Sequence, residues 1–376
     1  MNPLFDMALG WSAATTVLLA VTLAVVKLLH REAQRWRGVR TAHYVAAVGE
    51  LVSRRMLPAK PPRAWGEDPL FHQALADYRH LVTGADRDHI GRLAHELGVF
   101  EVLLRRIGRH RRLGVRLRAL GTLVDLAEER HRNVLRDLAR DRNSHVRVNA
   151  IRGLARLEDL ESIPWILDHA SGSQPWEAAR SADALVEMGR AALPGVCGWI
   201  EEQMPSPAAS IEVVALAGRV LGLIGDPKAE PTLLAMLAGN RPNWRVAAAS
   251  ALERAGTSDS IPALVHALED RAAPVRARVA VALGAMAEPA VARPVSTLLY
   301  DQSWWVRQNA ATALGQIPGG TDYLLAALHG PDPYAADAAL NQLTISGVLA
   351  GAVDRVLDGT ASEQDGRIAA LANVPA

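Results

Sequence analysis

The feature that most constrains this chain is a period of 31 residues. Arg276 and Arg307 stand 31 apart, and so do Leu283 and Leu314, each inside a near-copy of one segment. The first copy opens on Ile261-Pro262-Ala263-Leu264-Val265, continues through Val275-Arg276 and closes on Ala282-Leu283-Gly284. The second carries Pro294-Val295, Val306-Arg307 and Ala313-Leu314-Gly315. A fixed repeat of this length means one supersecondary unit copied along the chain, each copy burying its apolar face only against its neighbours.

The period extends toward the amino end. Val115-Arg116 and Val146-Arg147 repeat the marker, and the equivalent slot then falls at Ala178, Val214 and Arg245. A leucine follows each slot by seven residues, at Leu123, Leu154, Leu185, Leu221, Leu252, Leu283 and Leu314. One step is 36 residues, and the Pro205-Ser206-Pro207 loop absorbs the excess. Each copy has a first helix, with proline near its start at Pro164, Pro194, Pro231, Pro262 and Pro294. Proline is tolerated in a first turn because the N–H it lacks would be unpaired there anyway. The gaps between helices are too short for a crossover strand, and no alternating Val/Ile run appears. The expected class is all-α.

The unit pattern is Pro-x-Leu in the first helix, Asp in the turn, then Val-Arg-x-x-Ala and Ala-Leu-Gly in the second. It resembles HEAT repeats, especially the short bacterial HEAT-like type known as phycobilisome-lyase repeats. The resemblance covers residues 110–345, about seven units, and departs from the pattern at Ala178 and Val214, which lack the arginine. It implies a right-handed α-solenoid of helical hairpins. Asp141, Asp270 and Asp301 precede Arg147, Arg276 and Arg307 by six residues. They are expected to form a structural Asp–Arg ladder tying each turn to the helix that follows.

The two ends of the chain differ in charge. Residues 1–150 hold 25 Lys/Arg against 15 Asp/Glu, and residues 151–376 hold 16 against 25. From Met7 to Val26 there are 20 uncharged residues, about the length of a bilayer-spanning helix, and Lys27, Arg31, Arg35, Arg37 and Arg40 follow. The expectation is a single transmembrane helix ahead of the solenoid, with the N-terminus outside and the repeat domain cytoplasmic. The domains expected are an anchor (1–29), a juxtamembrane helix and Pro-rich linker (30–68), a helical N-terminal cap (69–109), the HEAT-like array (110–345) and a C-terminal cap and tail (346–376). Tyr44, Val45, Val48, Leu51 and Val52 form a stripe expected to pack on the next domain. Ala59 to Pro69 is expected to be a stiff linker, and one helix is expected from Asp86 to Ile107.

No catalytic constellation, cofactor site or metal site is expected. Cys197 is the only cysteine, and the closest histidines, His72, His80, His89 and His95, include no His-Glu-x-x-His. Deoxyhypusine hydroxylases resemble this architecture and bind iron through several His-Glu pairs; here that dipeptide occurs once, at His95-Glu96. Two surface features stand out. Arg105, Arg106, Arg109, Arg111 and Arg112, followed by Arg116 and Arg118, form a basic cluster suited to lipid headgroups or an acidic partner. Trp244, Trp304 and Trp305 are candidate protein-binding anchors.

The expected function is a membrane-anchored scaffold or adaptor holding a protein partner. That partner class extends to a membrane enzyme such as a glycosyltransferase, and an anionic membrane surface is a further contact. The competing classes are a HEAT-like lyase or metal-dependent hydroxylase, and a nucleic-acid-binding HEAT-like protein. The acidic carboxyl half counts against nucleic acid.

Overall fold

The computed structural model describes residues 34–55, 61–170, 172–206 and 210–370, together with 27, 31 and 32. All regular structure among them is helical, and the chain divides into two compact units, Met1–Leu157 and Glu158–Ala376. The expected spanning segment from Met7 to Val26 lies outside the described residues. Among the described residues no helix is long and apolar enough to cross a membrane. The longest continuous one among them, residues 34–54, carries four arginines. The membrane-anchored architecture and the single-pass topology are therefore corrected to an all-α array of helical hairpins with no spanning helix preceding it among those residues.

The first unit contains α1 (residues 34–54), α2 (Arg63–Glu67), α3 (Pro69–Leu81), α4 (Ala85–Glu96), α5 (Val99–Arg109), α6 (Leu113–Leu126), α7 (Arg132–Leu138) and α8 (Ser144–Arg156). Phe71, Leu75, Ile90, Leu93, Leu103 and Leu120 are fully buried at its centre. On α1, Tyr44, Val48, Leu51 and Val52 are buried, while Val45 is exposed. Tyr44 Oη donates to Asp68 at 2.8 Å, and Asp68 accepts from Leu70 N at 2.9 Å, capping α3. Two expectations fail here. The segment read as a stiff linker contains α2, whose Trp65 ring stacks on Phe71 with centroids 5.2 Å apart. The single helix from Asp86 to Ile107 is two, because Gly98 takes φ +68°, a left-handed conformation that ends a helix.

The second unit pairs short first helices with longer second ones: α9 (Ile163–Ala170) with α10 (Pro175–Glu187), α11 (Leu193–Gln203) with α12 (Ile211–Ile224), and α13 (Glu230–Leu237) with α14 (Pro242–Ala255). There follow α15 (Ile261–His266) with α16 (Ala273–Met286), α17 (Ala292–Ser296) with α18 (Trp304–Gln316), and α19 (Gly320–Leu328) with α20 (Pro333–Ile345). Helices α21 (Val348–Leu357) and α22 (Glu363–Ala370) close it. All seven periodic leucines, across both units, are fully buried. Each therefore removes its whole side chain from water, about 2–3 kcal/mol of apolar transfer apiece.

The glycine of Ala-Leu-Gly has a packing cause. A Cβ on Gly284 would stand 2.7 Å from the Cα of Ala313, and one on Gly222 would stand 2.6 Å from the Cα of Ala251. Successive second helices thus meet glycine against alanine, backbone close to backbone. In an open helix interior Gly→Ala gains about 1 kcal/mol. Here the added methyl must push a neighbouring helix away, so Gly284→Ala is expected to cost about 1–3 kcal/mol. Gly121→Ala, with nothing within 4 Å of its Cβ position, is expected to be neutral or stabilising. Urea unfolding midpoints of the two variants check this contrast.

The last unit keeps a buried face. Ala335, Ala338, Ala339 and Leu343 form that face of α20, and Asn341 is exposed. Gln342 lies against Gly315. Leu343 follows Leu314 by 29 residues, so the register has slipped by two. Beyond Gly359 the chain forms α22, with Arg355 bonded to Asp365 at 2.6 Å and Ile368 and Ala369 buried.

Candidate functional site

The periodic arginines fasten repeat to repeat. Arg276 Nη1 donates to the Asp270 carbonyl at 2.7 Å, while Nε and Nη2 donate to the two carboxylate oxygens of Asp301 at 2.6 and 2.8 Å. Arg245 does the same one unit earlier: Nη1 reaches the Gly239 carbonyl at 3.0 Å, and Nε and Nη2 reach Asp270 at 2.6 and 2.9 Å. In the first unit Arg116 Nη2 bonds Asp141 at 2.6 Å, and Arg147 Nη1 bonds the Asp141 carbonyl at 2.9 Å. At the six-residue spacing, where an Asp–Arg pair was expected, the arginine bonds the backbone carbonyl of the aspartate. Where these carboxylates are paired, the arginine lies 25 residues earlier, on the preceding repeat.

Each ladder aspartate also accepts the backbone N–H two residues on: Asn143 for Asp141, Ala272 for Asp270 and Ser303 for Asp301, all at 2.8 Å. Burial acts to raise the Asp270 and Asp301 pKa values, but the arginine hydrogen bond, the backbone N–H and the cationic charge outweigh it. Both carboxyls are held below their ordinary range. The ladder changes character at Arg307. Its Nη1 reaches the Asp301 carbonyl at 2.8 Å, but its guanidinium lies over the Tyr334 ring, 5.0 Å from the centroid. Asp332, the next aspartate of the period, caps α20 through Tyr334 N at 2.8 Å and Ala335 N at 3.1 Å.

This end of the ladder carries an aromatic edge. Trp304 and Trp305 open α18 and are each 58% exposed, with ring centroids 6.0 Å apart. They precede the inward-facing Val306 and Arg307, so the first turn of the helix leaves both rings outside. Tyr300 is 50% exposed and Tyr334 is 66% exposed. Sequence reasoning missed both tyrosines. Trp244 is the opposite case and corrects its assignment as a binding anchor. It is 1% exposed inside α14, with the Arg241 guanidinium 4.8 Å from its ring centroid.

The basic cluster is not one patch. Arg105 lies 3.6 Å from the Glu67 carboxylate, Arg106 donates to the Glu67 carbonyl, and Arg116 belongs to the ladder. Arg109, Arg111 and Arg112 are exposed around the α5–α6 connection. The candidate histidines are likewise apart in role. His72 Nε2 bonds the Gly66 carbonyl, His89 Nε2 bonds the Leu51 carbonyl and His80 faces Asp125. Among the described residues no group of three or more His, Cys, Asp or Glu could hold a metal ion. Cys197 is half-buried, and burial raises its thiol pKa above the ordinary value, away from reactive thiolate.

Stacked two-helix units, small-residue contacts between second helices and an Asp–Arg ladder define a helical-repeat protein. The family model described as HEAT repeats matches residues 100–186, 203–283 and 261–344, more than half of the sequence, and the chain belongs to the HEAT-repeat family. Arrays of this family are typically non-catalytic scaffolds. No curated protein sequence matches it significantly.

Among solved structures, the karyopherin Kap121p bound to the extreme C-terminus of the protein phosphatase Cdc14p aligns with TM-score 0.48 and 15% identity. That alignment covers 81% of this chain and 41% of that one, so the chain spans less than half of the karyopherin's length. Human deoxyhypusine hydroxylase in complex with glycerol aligns with TM-score 0.29 and 20% identity, covering 82% and 98%. The CpcE–CpcF phycocyanin lyase of Nostoc sp. PCC7120 aligns with TM-score 0.30 and 22% identity, covering 49% and 99%. At these levels none of the three transfers an activity, a ligand or a partner.

Proposed function

We propose that this chain is a protein-binding scaffold and that the aromatic edge of its second unit is the contact surface. The observation that supports this most is the adjacent pair Trp304 and Trp305, each more than half exposed on a turn that Arg276 and Asp301 hold rigid. Exposed tryptophan costs solvation for no return within the fold, and tryptophan is among the side chains that most often carry binding energy between proteins. Holding the turn in place beforehand lowers the entropy lost on association. The partner surface that fits is apolar with cationic side chains, since indole faces attract cations and residues 151–376 carry an excess of acid. Arg109, Arg111 and Arg112 supply a second, electrostatic contact for an acidic segment of the partner.

The test is crosslinking followed by mass spectrometry, comparing the full chain with its Trp304→Ala/Trp305→Ala form. Loss of two hot-spot rings is expected to weaken capture at least about tenfold while the thermal midpoint moves little. An unchanged partner set with the fold intact sinks the proposal, and so does crosslinking to nucleic acid in place of protein.

A further inference from the structure

The first unit contains a cleft of about 580 Å³ among α1, α3, α5 and α6, and four arginines line it: Arg37, Arg40, Arg106 and Arg118. Among the described residues no acidic side chain lines it. Arg40 alone has a carboxylate partner, Asp68, which is itself engaged by Tyr44 and Leu70. Arg106 is spent on a neutral acceptor, the Glu67 carbonyl. The guanidinium groups of Arg37 and Arg118 have no hydrogen bond or ion pair among the described residues. Like charges brought together on one concave surface raise the local potential and draw a counter-anion. His72 lines the same cleft and is fully buried; with Nε2 donating to the Gly66 carbonyl, its Nδ1 is a bare acceptor with no hydrogen-bond partner.

We propose that this cleft binds a small-molecule phosphate, its phosphoryl oxygens held by the guanidinium groups of Arg37, Arg106 and Arg118. Guanidinium forks match phosphate oxygens in pairs, which a lone carboxylate or chloride does not exploit as fully. The volume lies in the range of small-molecule sites. Arg118 and Arg106 come from α6 and α5, whose leucines anchor the core, while Arg37 comes from α1, so three separated stretches of chain converge on one ligand. The cleft and the aromatic edge share no residue, so the two proposals are tested by different substitutions and stand or fall separately.

The experiment is isothermal titration calorimetry of the full chain with inorganic pyrophosphate at low ionic strength. Saturable binding with one site per chain is expected. Arg118→Ala should weaken it about tenfold, and Arg37→Ala/Arg118→Ala about a hundredfold, from the usual worth of charge-assisted hydrogen bonds. Neither guanidinium has a bond among the described residues, so circular dichroism melts should match the parent. The comparison variant is Arg87→Ala/Arg92→Ala, exposed arginines of α4 outside the cleft, which should leave the affinity unchanged. No saturable heat overturns the assignment. So does an equal loss in the Arg87/Arg92 variant, which would mean general charge attraction, or binding of a phosphoserine peptide with none of pyrophosphate.

Discussion

Replacing Trp244 by alanine is expected to lower stability by about 3–5 kcal/mol, the largest single effect available in the second unit. Trp244 occupies the slot one residue before the periodic arginine, where its neighbours place Val213, Val275 and Val306, all buried. An indole at a valine position fills more of the space between successive second helices, and its removal leaves a cavity that packed helices cannot collapse into. Its Nε1 has no hydrogen-bond partner. Trp244→Phe should therefore be mild, because it deletes a buried unpaired donor along with part of the ring. Urea unfolding followed by far-UV circular dichroism gives the comparison without relying on tryptophan emission. The exposed Trp304→Ala/Trp305→Ala form should sit within about 1 kcal/mol of the parent in the same assay. Equal losses from the buried and the exposed replacements would undo the assignment of Trp244 to the core.

That reversal shows which kind of sequence signal was legible. The period alone places Trp244 beside Arg245 in register with Val275-Arg276, and that register says buried. Treating tryptophan as a binding anchor weighs the residue type over its position, and the position decides. The seven leucines were readable because burial at a fixed slot repeats with the chain. The ladder was half readable. A carboxylate six residues before one arginine is also 25 residues after the previous one in a 31-residue period, and spacing cannot separate the two partners. Tyr334 escaped notice because the register slips by two between Asp332 and Ala335, within the first turn of α20. The arginine cleft has no motif, since α1, α3, α5 and α6 bring its residues together from far apart in sequence. The apolar run from Met7 to Val26 had the length of a span, but hydropathy alone carried that expectation, and the described helices that follow include none of that kind.

Asp301→Ala is expected to cost about 2–4 kcal/mol, because it leaves the Arg276 guanidinium without its two-pronged acceptor and the Ser303 N–H unpaired at the start of α18. Asp301→Asn should cost less, since its amide oxygen still accepts from Ser303. If the pair acts as a link between repeats, Arg276→Ala and Asp301→Ala will not add, and the double form should recover about 1–3 kcal/mol of the summed loss. The charge makes the effect depend on pH with a definite sign. Burial favours the neutral acid, but Arg276 and the Ser303 N–H hold the folded carboxyl below its unfolded pKa of about 4. The folded state therefore gains from this group above that pKa and loses the gain as pH falls through the lower, folded value. The difference in unfolding free energy between the parent and Asp301→Asn should be full at neutral pH and shrink in acid below about pH 4. A difference that stays constant down to the pH where both proteins unfold would show that the Arg276–Asp301 contact holds the repeats together by shape alone.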